Sequence, residues 1–123
     1  MVNDLNLCVI VGRLTRDPDA KETRTGTSIT SFSLAVNRYF KRDSGDWGEE
    51  VSYLEVETWG LLAKQCAELR KGQVVRVQGR IKQERWQDGD GNNRTKVIVV
   101  ADRAEWQRPK AAEAEAPAAA EKD

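Results

Sequence analysis

Four aromatic residues stand where a core does not need them. Tyr53 and Trp59 share one parity of an alternating run, Val51 to Trp59, while Leu54, Val56 and Thr58 take the other. Trp86 ends the polar parity of a second run, which carries Arg76, Arg80 and Lys82, and Arg85 is its neighbour. Phe40 ends a third run, next to Lys41 and near Arg38. Flat rings interleaved with cations are the ingredients of a surface for single-stranded nucleic acid. Bases stack on the rings and cations neutralise phosphates; each stacked base contributes roughly 1–3 kcal/mol whatever its identity. For any one residue a plainer reading competes on even terms, because Trp and Tyr also cover barrel ends and alternate Arg and Lys form ordinary solvated faces. Four rings converging on strand faces and hairpin bases favour the binding surface. Glu55 and Glu57, between Tyr53 and Trp59, would repel phosphate, so a nucleic-acid strand is not expected to lie flat over that whole segment. Trp47, in a polar stretch beside Gly48, suits a loop-tip contact and a lid equally. Trp106, after the last apolar run, is expected to pack on the body.

Other chemistries are poorly supplied. The sequence has no histidine, which removes Ser-His-Asp and Cys-His catalysis, histidine metal sites and the usual base near neutral pH. Cys8 and Cys66 are too few for a disulfide scaffold or an all-cysteine zinc site, and read as small core residues. Asp88-Gly89-Asp90-Gly91-Asn92 has the look of a calcium loop but lacks its closing Glu, and hairpin chemistry explains it better. A carboxylate-pair enzyme would rest on Glu55 and Glu57, with nothing else to suggest a pocket. No catalysis, cofactor or metal is expected. No nucleotide-binding motif is present either.

These residues must be positioned by a small body. The chain has 123 residues, 33% of them charged and 39% hydrophobic, enough for one domain with a modest core. Net charge is +0, but it is unevenly spread. Pro109 to Asp123 is almost wholly Ala, Glu, Lys and Pro, with two lysines against four carboxylates, which leaves the rest at net +2. That stretch cannot bury enough surface to offset its ordering entropy and is expected to be a disordered tail. The division is therefore a body of residues 1–108 and a tail of residues 109–123. No apolar run approaches the roughly 20 residues that cross a bilayer. Met1-Val2-Asn3-Asp4 does not open a secretory signal, so a cytoplasmic location is the default.

The body reads as strands. Leu5 to Leu14 is apolar enough to be buried on both faces, with Gly12 suggesting a bulge or bend. Lys21 to Arg24 is a candidate short strand, followed by a turn at Thr25-Gly26-Thr27. Ser28 to Phe40 puts Phe32, Leu34 and Val36 on one face; Lys41 to Glu50 is a polar hairpin connection; Val51 to Trp59 follows. Leu61 to Arg70 has helical spacing, with Leu62, Cys66 and Leu69 on one stripe and Gly72 at the expected C-terminal position. Val74 to Trp86 has Val75, Val77, Gly79 and Ile81 inward, and Arg94 to Trp106 contains the core run Val97 to Val100. Five main strands with one short helix between the third and fourth suit an all-β OB-fold barrel, which closes on itself and so avoids exposed edges.

The motifs in order are similar to those of the bacterial single-stranded-DNA-binding protein family. The similarity rests on Val9-Ile10-Val11-Gly12-Arg13-Leu14-Thr15-Arg16-Asp17-Pro18, Phe32-Ser33-Leu34-Ala35-Val36-Asn37, the Tyr53-to-Gly60 strand with Leu61-Leu62-Ala63, Leu69-Arg70-Lys71-Gly72, Val77-Gln78-Gly79-Arg80-Ile81 and Arg85-Trp86. It covers residues 3 to 106, and its specificity lies in the ordered set. Proteins of this family are themselves the reference case for stacking platforms in a basic groove, so the stacking magnitude above is theirs. The resemblance implies an OB-fold, a homotetramer around which DNA wraps, no catalysis, and protection of transient single strands in replication, recombination and repair, in the cytoplasm at the nucleoid. It assigns stacking to Phe40, Tyr53, Trp59 and Trp86, with Tyr39 the rival of Phe40 according to register. Its basic contacts map to Lys71, Lys82 and Arg85, while Glu84 stands where relatives can carry a base. Arg38, Lys41, Arg76 and Arg80 join them from the interleaving above. Relatives usually end in a long linker and an acidic Pro-Phe tip that recruits partner proteins. This sequence ends Ala-Glu-Lys-Asp, so such recruitment is not expected. The rival readings are a primosomal or RNA-binding OB protein and a protein-interaction scaffold.

Overall fold

Alternation in the sequence becomes alternation in burial. In the computed structural model, which describes residues 2–107, the elements are β1 (Cys8–Leu14), β2 (Asp19–Glu22), β3 (Ser28–Lys41), β4 (Trp47–Trp59), α1 (Gly60–Cys66), β5 (Val74–Gln87) and β6 (Asn93–Glu105). The expectations for Pro109 to Asp123 lie outside the described residues. Strand order is β1-β5-β6-β4-β3-β2, and β1 also pairs with β3 through Arg13–Ala35 and Leu14–Leu34. That last pairing closes five strands into a barrel, with β2 attached outside to β3. β4 and β6 meet in parallel at only two positions, Val56–Val99 and Glu57–Val100. All-β architecture, barrel closure and one short helix between the third and fourth barrel strands match the OB-fold expectation.

The core is Phe32, Leu34, Val56, Cys66, Leu69, Val75, Val77 and Val99, with Leu14 and Ala101. Each large apolar side chain buried this completely stabilises the fold by roughly 1.5–3 kcal/mol. α1 plugs the barrel through two buried threonines. Thr30 Oγ1 donates to the Ala63 carbonyl at 2.7 Å, and Thr58 Oγ1 donates to the Thr30 carbonyl at 2.8 Å. Trp106 packs against the core and Cys8 is half-buried beside it.

Several local expectations are corrected. β1 is buried on one face only, leaving Leu7, Val9 and Val11 exposed. Its strand also starts later than Leu5; upstream, the Asn6 side chain stands in for the backbone ladder, donating to the Ile81 carbonyl and accepting from Ile81 N–H. Gly12 marks no bulge. A Cβ there would come 2.7 Å from the Ala35 carbonyl oxygen, so glycine lets β1 and β3 close the barrel. The bulge lies at Gly79, where Gln78 pairs with Arg103 and Gly79 with Ala101, leaving Asp102 as the extra residue. Ile81 is exposed, because β5 has by then left the barrel for its hairpin arm. α1 ends at Cys66: the N–H groups of Glu68 and Leu69 bond three residues back, tightening the last turn. Gly72, at positive φ, serves the turn into β5 and donates to the Leu14 carbonyl. The β3–β4 turn is only residues 42–46, so Trp47 belongs to a strand.

Candidate nucleic-acid interface

The outward residues of β4 and β5 meet across β6. Glu57, Trp59, Arg80 and Lys82 line a solvent-open depression with Leu62, Val100 and Asp102. A second depression is lined by Lys82, Glu84, Trp86 and Lys96. Lys82 belongs to both, so a continuous track leads from Trp59 to Trp86. The indole of Trp59 is held in orientation, its Nε1–H donating to Glu57 Oε1 at 2.9 Å. Lys96 lies 5.8 Å from the Trp86 ring centroid, 3.2 Å from Glu55 and 3.9 Å from Glu84. Glu84 is also 4.0 Å from Lys82. Glu55 and Glu57, expected to repel phosphate, are thus engaged: Glu57 orients a ring, and Glu55, like Glu84, holds a cation along the track.

The candidate residues divide by place. Trp59, Arg80, Lys82 and Trp86 come together on this track, and Tyr53 continues the same face of β4 beyond Glu55. Arg85 borders the track, but its guanidinium donates to Gln83 Oε1 at 2.7 Å. Arg76 is elsewhere, paired with Glu105 at 3.0 Å in a separate cleft with Gln78 and Arg103. Lys71 sits in the turn after α1, where its backbone N–H donates to Asp17. Phe40, Arg38 and Lys41 lie out on the β3–β4 hairpin. There Phe40 faces Gly48 across the ladder, with the guanidiniums of Arg38 and Arg42 at 5.2 and 5.6 Å from its ring centroid. Arg38 is 3.5 Å from Glu50. Tyr53 is on the opposite pleat face of this hairpin.

Sequence reasoning missed Lys96, although parity within Arg94 to Trp106 carries its signal: Arg94 and Lys96 share the outward side opposite Trp86 and Glu84. The calcium-like loop is a hairpin turn. Asp88 Oδ1 accepts from the N–H groups of Asp90 and Asn92, and Asp88 Oδ2 accepts from Arg94 Nε. The Arg94 bond, then those backbone bonds, hold its carboxyl below the usual range. Among the described residues no acidic, Cys or His cluster could hold a metal.

The model of the single-strand binding protein family matches residues 5–107. The chain belongs to that family. Its members include similar proteins from distant bacteria. The single-stranded DNA-binding protein of Aquifex aeolicus is 38% identical over 114 residues, covering 91% of this chain and 77% of the relative. That of Deinococcus radiodurans is 38% identical over 105 residues, covering 85% of this chain but only 35% of the relative. A crystal structure of a deletion mutant of the single-stranded DNA binding protein from Thermus aquaticus superimposes with a TM-score of 0.75 at 31% identity. It covers 86% of this chain and 52% of that one. As a family member, the chain thus corresponds to a barrel that some relatives carry within much longer proteins.

Proposed function

We propose that this chain binds single-stranded DNA without sequence preference and protects transient single strands during replication, recombination and repair. The observation that carries the reading is the open track from Trp59 through Lys82 to Trp86, which pairs rings with cations. Such a surface stacks bases and neutralises phosphates without reading base edges. It needs no catalytic group, and the protein works as a binding module rather than an enzyme. Phe40, Tyr53, Trp59 and Trp86 are the proposed stacking residues, with Arg80, Lys82 and Arg85 as close cations and Arg38, Lys41, Lys71 and Arg76 as peripheral ones. Association into a homotetramer is supported by the exposed apolar residues Leu7, Val9, Val11 and Val74, which share the outer face of β1 and β5. No helix of the described residues is long and apolar enough to cross a membrane; a cytoplasmic site of action fits the proposed substrate. Titration with oligo-dT, oligo-rU and duplex DNA, followed by Trp emission, tests the proposal. Saturable quenching by oligo-dT and little by duplex is expected. A preference for oligo-rU would move the reading to an RNA-binding protein, and no change with any of the three would end it.

A further inference from the structure

β1 and β5 pair from Arg13–Val74 to Cys8–Gly79, where the backbone ladder stops. The same register would set Asn6 opposite Ile81, and there the Asn6 side chain makes the bonds that a strand would make. Its Nδ2–H donates to the Ile81 carbonyl at 2.8 Å, and its Oδ1 accepts from the Ile81 N–H at 2.9 Å. A side-chain amide offers a donor and an acceptor side by side, as a peptide group does. In an antiparallel ladder, successive residues turn their N–H and C=O groups to opposite edges. Ile81 therefore turns both groups away from β6, and so do Gln83 and Arg85 further out. Among the described residues, the Asn6 amide is the last tie on that edge of β5. Beyond it β5 has only β6 for a neighbour, out to Gln87–Asn93. A two-stranded ribbon is marginally stable by itself, so its direction is set at its root. On the other edge, the root is tied to β4 through Val56–Val99, Glu57–Val100 and the Lys96–Glu55 ion pair.

We propose that Asn6 is a positioning residue for single-strand binding: its amide clamps Ile81 and fixes the root of the β5–β6 ribbon, so that Trp86 is held in line with Trp59 before DNA arrives. This rests on the single-strand binding proposed above and adds a residue that itself touches no DNA. Asn6 lines neither depression of the track and acts through Ile81. Ile81 lies between Arg80 and Lys82, which share the first depression with Trp59, while the ribbon beyond carries Trp86 and Lys96 in the second. The spacing of the two rings is therefore decided where the ribbon leaves the barrel. A ribbon already aligned loses less freedom when a strand engages both rings, and that difference appears as affinity.

The test is a double-mutant cycle on the full chain, with labelled oligo-dT at the upper end of the roughly 4–16 nucleotides an OB-fold occupies. Asn6→Ala should weaken binding about fivefold when Trp86 is present and less than about twofold in a Trp86→Ala background, because residues that act together are not additive. Asn6→Leu, which keeps the size and loses both bonds, should behave as Asn6→Ala does. The slope of log affinity against log salt should stay as in the parent, because no phosphate contact is removed. A residue that only stabilises the barrel would lower the melting temperature and leave affinity per folded molecule unchanged, or would cost the same with and without Trp86. Either result overturns the proposal. Amide hydrogen exchange on the parent protein checks the clamp without any variant. The Ile81 N–H should be clearly more protected than the Gln83 N–H, which faces the same edge with no Asn6 beside it; equal protection would overturn the clamp. Parent protein that binds oligo-dT while the Asn6 variants match it would remove the positioning role and leave the binding reading intact. A parent that does not bind oligo-dT would show that the functional reading itself had failed, and this proposal with it.

Discussion

Trp86 combines two roles that one substitution can separate. It is half exposed at the end of the track, with Lys96 over its ring. Trp86→Ala is expected to weaken single-strand binding by roughly 1–3 kcal/mol, the contribution of one stacking platform, with the melting temperature nearly unchanged. Affinity retained per folded molecule, with melting lowered by several degrees, would identify a packing lid; measuring both on one sample decides. Cys66 makes a different prediction, about pH. Burial pushes its thiol up to about 11, with a hydrogen bond to Thr58 pulling the other way. The folded state therefore holds the proton more tightly than an unfolded thiol of ordinary value 9.0. That stabilisation is complete below pH 9 and is lost as pH climbs through about 11. Urea midpoints should fall more steeply across this window for the parent than for Cys66→Val, and identical slopes would refute the assignment. At this scale the parity of Tyr53, Trp59 and Trp86 was legible, because pleat alternation is local. The partners of Lys96 were not, because Glu55 lies 41 residues away and is brought near only by barrel closure.

Elements were legible where a period ran uninterrupted and obscure where one strand served two environments. β3 and β5, 14 residues each, both begin in the barrel and end in hairpin arms. One hydrophobic pattern cannot describe both halves, so Ile81 read as core; Trp47, at the arm end of β4, read as loop for the same reason. The two glycines show the same limit. Gly12 signalled an irregularity and Gly79 read as an inward core position, and only the three-dimensional approach shows closure at Gly12 and the bulge at Gly79. A Cβ on Gly79 would sit on the Val100 carbonyl oxygen and 2.8 Å from the Ala101 Cα. Those are backbone atoms that cannot rotate away. Gly79→Ala should therefore destabilise the barrel by at least ~1–3 kcal/mol, a fall in melting temperature of about 4–8 °C per kcal/mol. Gly89→Ala, in open space at the β5–β6 turn, is the control and should melt within a degree or two of the parent. Equal melting of the two variants would contradict the close approach.

At the scale of the whole molecule, the unused surface is the outer side of β1. The sequence there was apolar enough to suggest burial on both faces, yet the isolated barrel covers only one. Leu7, Val9 and Val11 remain in water, and Val74 extends them onto β5. These apolar side chains, interleaved with Arg13, Arg76 and Gln78 on the same face, offer a surface for association. Two copies related by a two-fold axis could cover it with the same residues on each side. The reading of β1 as doubly buried is wrong for one chain and would need an assembly to supply the second cover, because a sequence records burial without saying which molecule supplies it. Sedimentation at micromolar concentration is expected to give a multiple of 13.8 kDa, the mass of one chain. Placing charge in the patch with Val9→Lys and Val11→Lys should shift the mass toward the monomer. The proposed DNA track, on β4, β5 and β6 around Lys82, is not touched by these substitutions, so short oligo-dT should still quench Trp emission in the dissociated protein. A parent that sediments at 13.8 kDa would remove the assembly. A double variant that keeps the parent's mass would move the interface away from β1.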